Sequence, residues 1–324
     1  MTKKKYYYNF GRSAFKHGLL SYNLNTEKKI LIPDFICNEI TNALNELSIS
    51  YRFYSLKDDL KPDWDNLKKI KTNDCSAVMM VHYFGNTQDI EKFTKYSKEN
   101  NLLLIEDNAH GFGGKYNFKE IGTFGDFGIS SPRKIINTKY GGILYKNSDY
   151  IISLPLSKNF TEIIFSIAFY IKNKLILIVK ILKKFLMKRP VYENPYTFKE
   201  KNYEIFKLDC ISYKIIRSKN LENIKKSRLQ IYDSWKIFSE KNNLKPVYKS
   251  LNKGSIPWCF PVYVPSEQER INLLNWGWEN KFNIFTWPSL PIEIIKNKTD
   301  GYNKWKKLIC FSTDPDNAHI KNYL

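Results

Sequence analysis

The residues best suited to chemistry lie between Leu102 and Gly142. An apolar run, Leu102 to Ile105, ends in two acids, Glu106 and Asp107. A glycine-rich segment follows, then Ser130, Ser131, Lys134 and the pair Gly141-Gly142. The acid at a strand end and the lysine about 27 residues later, set among small residues, are what a pyridoxal 5'-phosphate site needs. The acid keeps the pyridine nitrogen protonated, and the lysine forms a Schiff base. Each residue alone has a plainer reading. With 52 Lys and Arg in the chain, Lys134 by itself would be a solvated loop lysine. Asp107 by itself would be a helix N-cap after a strand.

A phosphate needs its own cradle. Asn9-Phe10-Gly11-Arg12-Ser13-Ala14-Phe15 follows a basic, aromatic lead-in and opens on a glycine, and Arg12 to Tyr22 can run as a helix. The N–H groups and dipole at such a helix start favour an anion. Strands are expected over 29–32, 48–54, 77–83, 102–105, 127–130 and 141–145. Helices are expected over 38–47 and 88–100, the latter capped by Asn86 or Thr87, with a short helix or loop over 61–70. This alternation predicts an α/β fold, a mostly parallel sheet with helices on both faces. Pro33–Phe35, His82–Gly85 and Asp107–His110 then fall at carboxyl ends of strands, where ligands of such sheets sit.

The second half changes character. The segment 151–188 contains FTEIIFSIAFYIKNKLILIVKILKKFLMK. Its longest uncharged run, Ile163 to Ile171, is far below the ~20 residues of a membrane span. Apolar residues at helical spacing oppose Lys172, Lys180, Lys183, Lys184 and Lys188. That pattern fits a helix buried on the body or on a dimer partner. It also fits a weak contact of 160–188 with an anionic membrane surface. A linker is read over 189–200 and a helix over 210–241. A small α+β domain then holds a strand over 256–264, which Pro257 and Pro261 put at a sheet edge, a helix over 266–277, and β-like runs over 284–290 and 308–312. The division is 1–235 for the large domain and 236–324 for the small one.

Composition bounds the rest. A hydrophobic content of 43%, with aromatic residues making up 15% of the chain, supports a packed core. The formal charge of +20 comes from lysines spread over nearly the whole chain. No zinc-finger, helix-turn-helix or RNP-like signature accompanies it, so no nucleic-acid partner is expected. The cysteines Cys37, Cys75, Cys210, Cys259 and Cys310 form no CxxC, which suits free thiols in a cytoplasmic protein. No metal-ligand spacing and no secretory h-region is read.

The motifs together resemble the DegT/DnrJ/StrS sugar aminotransferases, fold-type I enzymes that depend on pyridoxal phosphate. Gly11-Arg12-Ser13-Ala14-Phe15 sits where that family has a Gly-Thr/Ser-x-Ala-Leu phosphate turn. Val81-His82-Tyr83-Phe84-Gly85 is similar to its V-H-x-x-G, and Glu106-Asp107-Asn108-Ala109-His110 to its E-D-x-A-Q/H. Gly125-Asp126 and Lys134 before Gly141-Gly142 match its G-D…S…K…G-G. The spacing from Asp126 to Lys134 is two residues shorter than usual, and Ser130-Ser131-Pro132-Arg133-Lys134 replaces the common S-F-H-P-T-K, as in a divergent S-x-R-K branch. The resemblance implies that Lys134 and Asp107 are catalytic. Gly11, Arg12, Ser13, Phe35, Asp107, His110, Ser131 and Lys134 would bind the cofactor. Phe35 would stack on the ring, with Cys37 competing for that place. His110 would sit near the phenolic oxygen or phosphate. Arg12 or Arg133 would add charge there or bind a carboxylate donor or substrate phosphate. The implied reaction moves an amino group from an amino acid, glutamate foremost, to a nucleotide-linked keto-sugar in surface-glycan synthesis, in a homodimer. A related sugar dehydration is opposed by Lys134, since that branch carries histidine there. A non-catalytic scaffold or membrane-surface protein that kept the fold is the other alternative.

Overall fold

The computed structural model describes residues 3–24, 27–146, 163–172, 205–287 and 289–324. The linker read over 189–200 and most of 151–188 lie outside them. In chain order the first half contains β1 (Lys4–Tyr8), α1 (Gly11–Ser21), β2 (Lys29–Pro33), α2 (Asn38–Glu46), β3 (Tyr51–Tyr54), α3 (Trp64–Lys69), β4 (Cys75–Val81), α4 (Ile90–Glu99) and β5 (Leu103–Asn108). A small hairpin of β6 (Lys115–Tyr116) and β7 (Lys119–Glu120) precedes β8 (Phe127–Ser130) and β9 (Gly142–Lys146).

Seven strands form one sheet in the order β1-β9-β8-β5-β4-β2-β3. Strands β3, β2, β4, β5 and β8 are parallel, and β9 runs against both β8 and β1. The central strands KILIP and CSAVMMV are apolar almost throughout because helices cover both faces of a parallel sheet. Residues Ile30, Ile32, Val78, Met80, Leu104 and Ile105 are buried in one cluster with Phe15 of α1 and Phe93 of α4. Parallel pairing brings Pro33, Val81, Asn108 and Ser130 to the same end of the sheet.

The basic, aromatic lead-in is itself a strand. Lys4–Tyr8 pairs with β9, and burial rises along it from exposed Lys4 to fully buried Tyr8. The capping of α4 also differs from expectation. Asp89 takes the N-cap position without a side-chain hydrogen bond. Asn86 Oδ1 accepts from Asn252 N at 2.8 Å, and the Thr87 hydroxyl lies 3.2 Å from that of Ser255. Both polar residues hold a loop of the second half rather than their own helix.

After β9 come α5 (163–172), α6 (Cys210–Ser218), α7 (Leu221–Lys241), β10 (Lys245–Pro246), β11 (Cys259–Tyr263), α8 (Glu267–Glu279), β12 (Ile284–Phe285), α9 (Ile292–Lys296), α10 (Asp300–Lys307) and β13 (Leu308–Ser312). The helix expected over 210–241 is two helices. It breaks at Lys219-Asn220, where Asn220 Oδ1 caps the N–H groups of Glu222 and Asn223. The second sheet is antiparallel, in the order β10-β11-β13-β12. Strand β11 is therefore interior, not at an edge. Pro261 is tolerated because its carbonyl and its missing N–H face β10, whose pairing stops at Pro246. There Pro261 O accepts from Val247 N at 3.0 Å.

The period-two alternation of β11 and β13 sorts two cores. Cys259, Tyr263, Leu308 and Cys310 join the cluster of the large sheet. Phe260, Val262, Ile309 and Phe311 face Ile231, Trp235 and Phe238 of α7 in a second cluster. Helix α7 thus belongs to the packing of the smaller sheet, and position 235 falls within it.

Candidate active site

The carboxyl ends of β2, β4, β5 and β8 carry most of the residues singled out above. Asp107, at the end of β5, is 6% exposed, and its Oδ1 accepts from Ala109 N at 2.8 Å. Burial pushes its carboxyl up, against the Ala109 N–H and the charge of Lys134. Lys134 ends a tight turn over Pro132–Lys134, closed by Lys134 N to Ser131 O at 3.0 Å. Its Nζ lies 4.5 Å from the centre of the Trp258 ring. Burial lowers its pKa to about 8, with Arg133 adding to the drop and Cys37 and Asp107 opposing it. The amine is thus far closer to its neutral, nucleophilic form near neutral pH than a surface lysine is.

Glu106, the other acid, has a different role. It is fully buried and accepts from the N–H groups of Gly122, Phe124 and Gly125 at 2.6, 2.6 and 2.9 Å. His82 Nε2 lies 3.0 Å away, and His82 Nδ1 accepts from Gln88 N at 2.9 Å, so Nε2 carries the proton and donates to Glu106. Burial raises the Glu106 pKa, but the His82 and backbone hydrogen bonds outweigh it and the net shift is downward. Glu106 and His82 therefore fix the 122–125 loop under the site. Asp126 is structural as well, its Oδ2 accepting from Leu104 N at 2.7 Å.

His110 lies in an aromatic box. Its ring stacks on Trp258 with centroids 4.7 Å apart, and Phe84 and Trp287 lie 5.8 and 5.4 Å away. Its Nδ1 accepts from Phe84 N at 3.1 Å, which leaves the proton on Nε2. Burial and the charge of Lys134 push its pKa far down, so the ring is neutral. Phe84 adopts a left-handed backbone, φ 55°, that turns its N–H to His110 and its carbonyl to Trp258 N at 2.8 Å. Gly85 follows at φ 86°, and a Cβ there would meet Ile256 O at 2.0 Å.

The phosphate end is built from α1 and the 131–142 loop. The N-cap residue of α1 is Phe10, whose side chain makes no capping hydrogen bond to the first turn. Ser13 Oγ is buried without a hydrogen-bond partner among the described residues. Ser131 is buried beside Gly11, where a Cβ on the glycine would lie 3.5 Å from Ser131 Cβ, and the Ser131 hydroxyl reaches Gly141 O at 3.4 Å. Gly142 packs so closely under this turn that a Cβ would sit 2.1 Å from Phe10 O. An uncapped helix start with a buried, unsatisfied hydroxyl fits an oxyanion, and so fits the phosphate of the implied cofactor.

The remaining expected residues lie at the margins. Arg12 pairs with Glu39 of α2 and stacks on Phe10, its guanidinium 4.6 Å from the ring. The Arg133 guanidinium lies 5.6 Å from the same ring. Phe35 is fully buried, 4.8 Å from Trp287 and 5.9 Å from Tyr83 by ring centroids. Cys37, two residues on, is partly exposed and close enough to Lys134 to affect its charge.

Sequence reasoning missed Trp258 and Arg228. Trp258, in the segment just before β11, forms one wall of the Lys134 site. Arg228 of α7 is 2% exposed and pairs with Asp314. It also donates to Ile135 O and Thr313 Oγ1 at 3.0 Å, and so ties the lysine turn to the β13 end. A buried arginine on a helix otherwise rich in surface charge gives no local signal.

Parts of this chain are similar to known proteins. Residues 8–154 match the model of the DegT/DnrJ/EryC1/StrS aminotransferase family. A GDP-perosamine synthase of Escherichia coli O157:H7 is 29% identical over 140 residues, 42% of this chain and 38% of that protein. A GDP-4-keto-6-deoxy-D-mannose 3-dehydratase of Yersinia pseudotuberculosis is 28% identical over 131 residues, 40% of this chain and 33% of that protein. The matches thus span well under half the length of these relatives. Helicobacter pylori PseC, an aminotransferase involved in the biosynthesis of pseudoaminic acid, has the same fold, with a TM-score of 0.70 over 99% of this chain and 85% of that one at 17% identity.

Proposed function

We propose that this chain is a pyridoxal phosphate-dependent aminotransferase that moves an amino group from an amino acid, glutamate foremost, to a nucleotide-linked keto-sugar for a surface glycan. The observation that carries the reading is the convergence of half-buried Lys134, buried Asp107 and the α1 start, which lacks a capping side chain and holds the unsatisfied Ser13 hydroxyl. The names of the relatives, which concern GDP- and UDP-linked sugars, support the substrate class. When bound, the cofactor supplies a carbonyl to carry the amino group and a ring to take up the electrons of the donor's α-carbon.

The protein's share follows from its own groups. The α1 N–H groups, Ser13 and Ser131 would hold the phosphate. Asp107 would hold a proton on the ring nitrogen, a role for which its charge is supported by Ala109 N–H. His110, neutral, would donate its Nε2 proton to an oxygen of the ring. Lys134 Nζ would take a proton from the donor's α-carbon and deliver it to the carbon two bonds away, across the transferred nitrogen. Trp258, whose ring lies 4.5 Å from that amine, would shield it from water. Arg133 would meet the carboxylate of the donor or a phosphate of the substrate.

The test is a half-reaction screen. Purified protein loaded with pyridoxal phosphate is mixed with glutamate, then with nucleotide keto-sugars, and amino-sugar is read by mass. Formation of amino-sugar by wild type and none by Lys134→Ala is expected. A wild type that transfers no amino group to any of them contradicts the reading. We also read the assembly as a homodimer, for which light scattering on the same preparation should give twice the mass of the chain.

A further inference from the structure

Helix α5, residues 163–172, reads IIFSIAFYIK and is apolar apart from Ser166 and Lys172. A helix apolar on all sides belongs in a core or in lipid. Here the residue turned inward is the serine. Ser166 is buried, and its hydroxyl lies 3.5 Å from that of Ser212 on α6. Ile164, Phe165, Ile167 and Ile171 are 47, 57, 41 and 49% exposed. Beside them α6 exposes Tyr213, Lys214 and Arg217, and Lys219 follows. Exposed charges in 163–172 and 210–219 are all positive, since Asp209 is buried as the α6 N-cap.

We propose that this patch, α5 with the outer face of α6, docks on an anionic lipid surface. The apolar side chains would enter the boundary between headgroups and acyl chains, and Lys172, Lys214, Arg217 and Lys219 would meet lipid phosphates. A second copy of the chain fits less well, because a symmetric pairing would set these cations against one another with no exposed acid in either patch to answer them. The patch lies beyond the residues matched by the family model, which end at 154. No helix among the described residues is long and apolar enough to cross a membrane, so the contact lies along the surface.

Flotation of the full chain with vesicles tests this. Wild type should float with vesicles of phosphatidylglycerol and phosphatidylcholine, and not with phosphatidylcholine alone. Ile164→Ser with Phe165→Ser, and separately Lys214→Glu with Arg217→Glu, should each weaken binding at least about tenfold, given the stabilisation each basic residue provides near an anionic surface. Far-UV circular dichroism and the thermal midpoint report whether the variants fold, and the charge pair alters exposed positions only. Failure of folded wild type to float overturns the proposal, as does equal flotation of both folded variants. A dimer that dissociates in the Ile164/Phe165 variant while wild type ignores lipid would assign the patch to a second copy instead.

Discussion

At Lys134 a single amine is set between opposing influences. Burial and Arg133 disfavour its charge, Asp107 and Cys37 favour it, and the balance is a pKa lowered to about 8. Attack on a carbonyl needs the unprotonated amine, so loading of the apo-protein should follow that value. The rate of colour development with pyridoxal phosphate should rise about tenfold per pH unit below it and level off above it. Stopped-flow absorbance against pH checks this, and a rise that continues to the range of an ordinary lysine would contradict it. Asp107 and Lys134 are legible in the sequence because local motifs carry them: an acid at the end of an apolar run, and a lysine between small residues. His110 is legible for the same reason, but its neutral state is not, since that depends on Phe84, Trp258 and Trp287 closing around it. Trp258 is hidden because its contact with Lys134 spans the two sheets.

Among elements, the carboxyl end of β5 shows how neighbouring acids divide labour. Asp107 faces the site, and Glu106, on the other face of the strand, gathers the 122–125 loop and His82. The net lowering of the Glu106 pKa means that this stabilisation is present above the ordinary carboxylate range and is lost as pH falls through the folded-state value. Glu106→Gln sets an amide N–H₂ against backbone donors, and should cost roughly 2–3 kcal/mol of stability, the worth of hydrogen bonds to a buried charge. Urea denaturation of the apo-protein measures it, and an unchanged midpoint would show that the loop stands without the charge. The parallel sheet itself is readable, because buried parallel strands are continuous apolar runs such as CSAVMMV. Strand β1 is not, because KKYYY alternates only weakly and its pairing with β9 is made across nearly the whole large domain. Interior β11 reads as an edge because proline marks an edge unless its nitrogen faces the end of a neighbour's pairing, as Pro261 does.

Over the whole molecule, the site exists only when the two sheets meet. Trp258 comes from the segment before β11, and Arg228 from α7 holds the turn that carries Lys134. Asn86 and Thr87 bind the 252–255 loop, so that the β4 end and the second half are fixed to each other. The small-domain pattern of short β-like runs is visible in the sequence, but which face of β11 and β13 meets the large sheet is not, since Cys259 and Phe260 are both apolar. In the proposed enzyme the assembled chain holds pyridoxal phosphate on Lys134. It is tested by mixing the whole 324-residue chain with pyridoxal phosphate, reducing with borohydride, and locating the fixed cofactor by peptide mass. Expected are a visible absorbance band in wild type, a single modified peptide containing Lys134, and neither in Lys134→Ala that remains folded. A folded wild type that stays colourless, or a cofactor fixed equally well in Lys134→Ala, would contradict it.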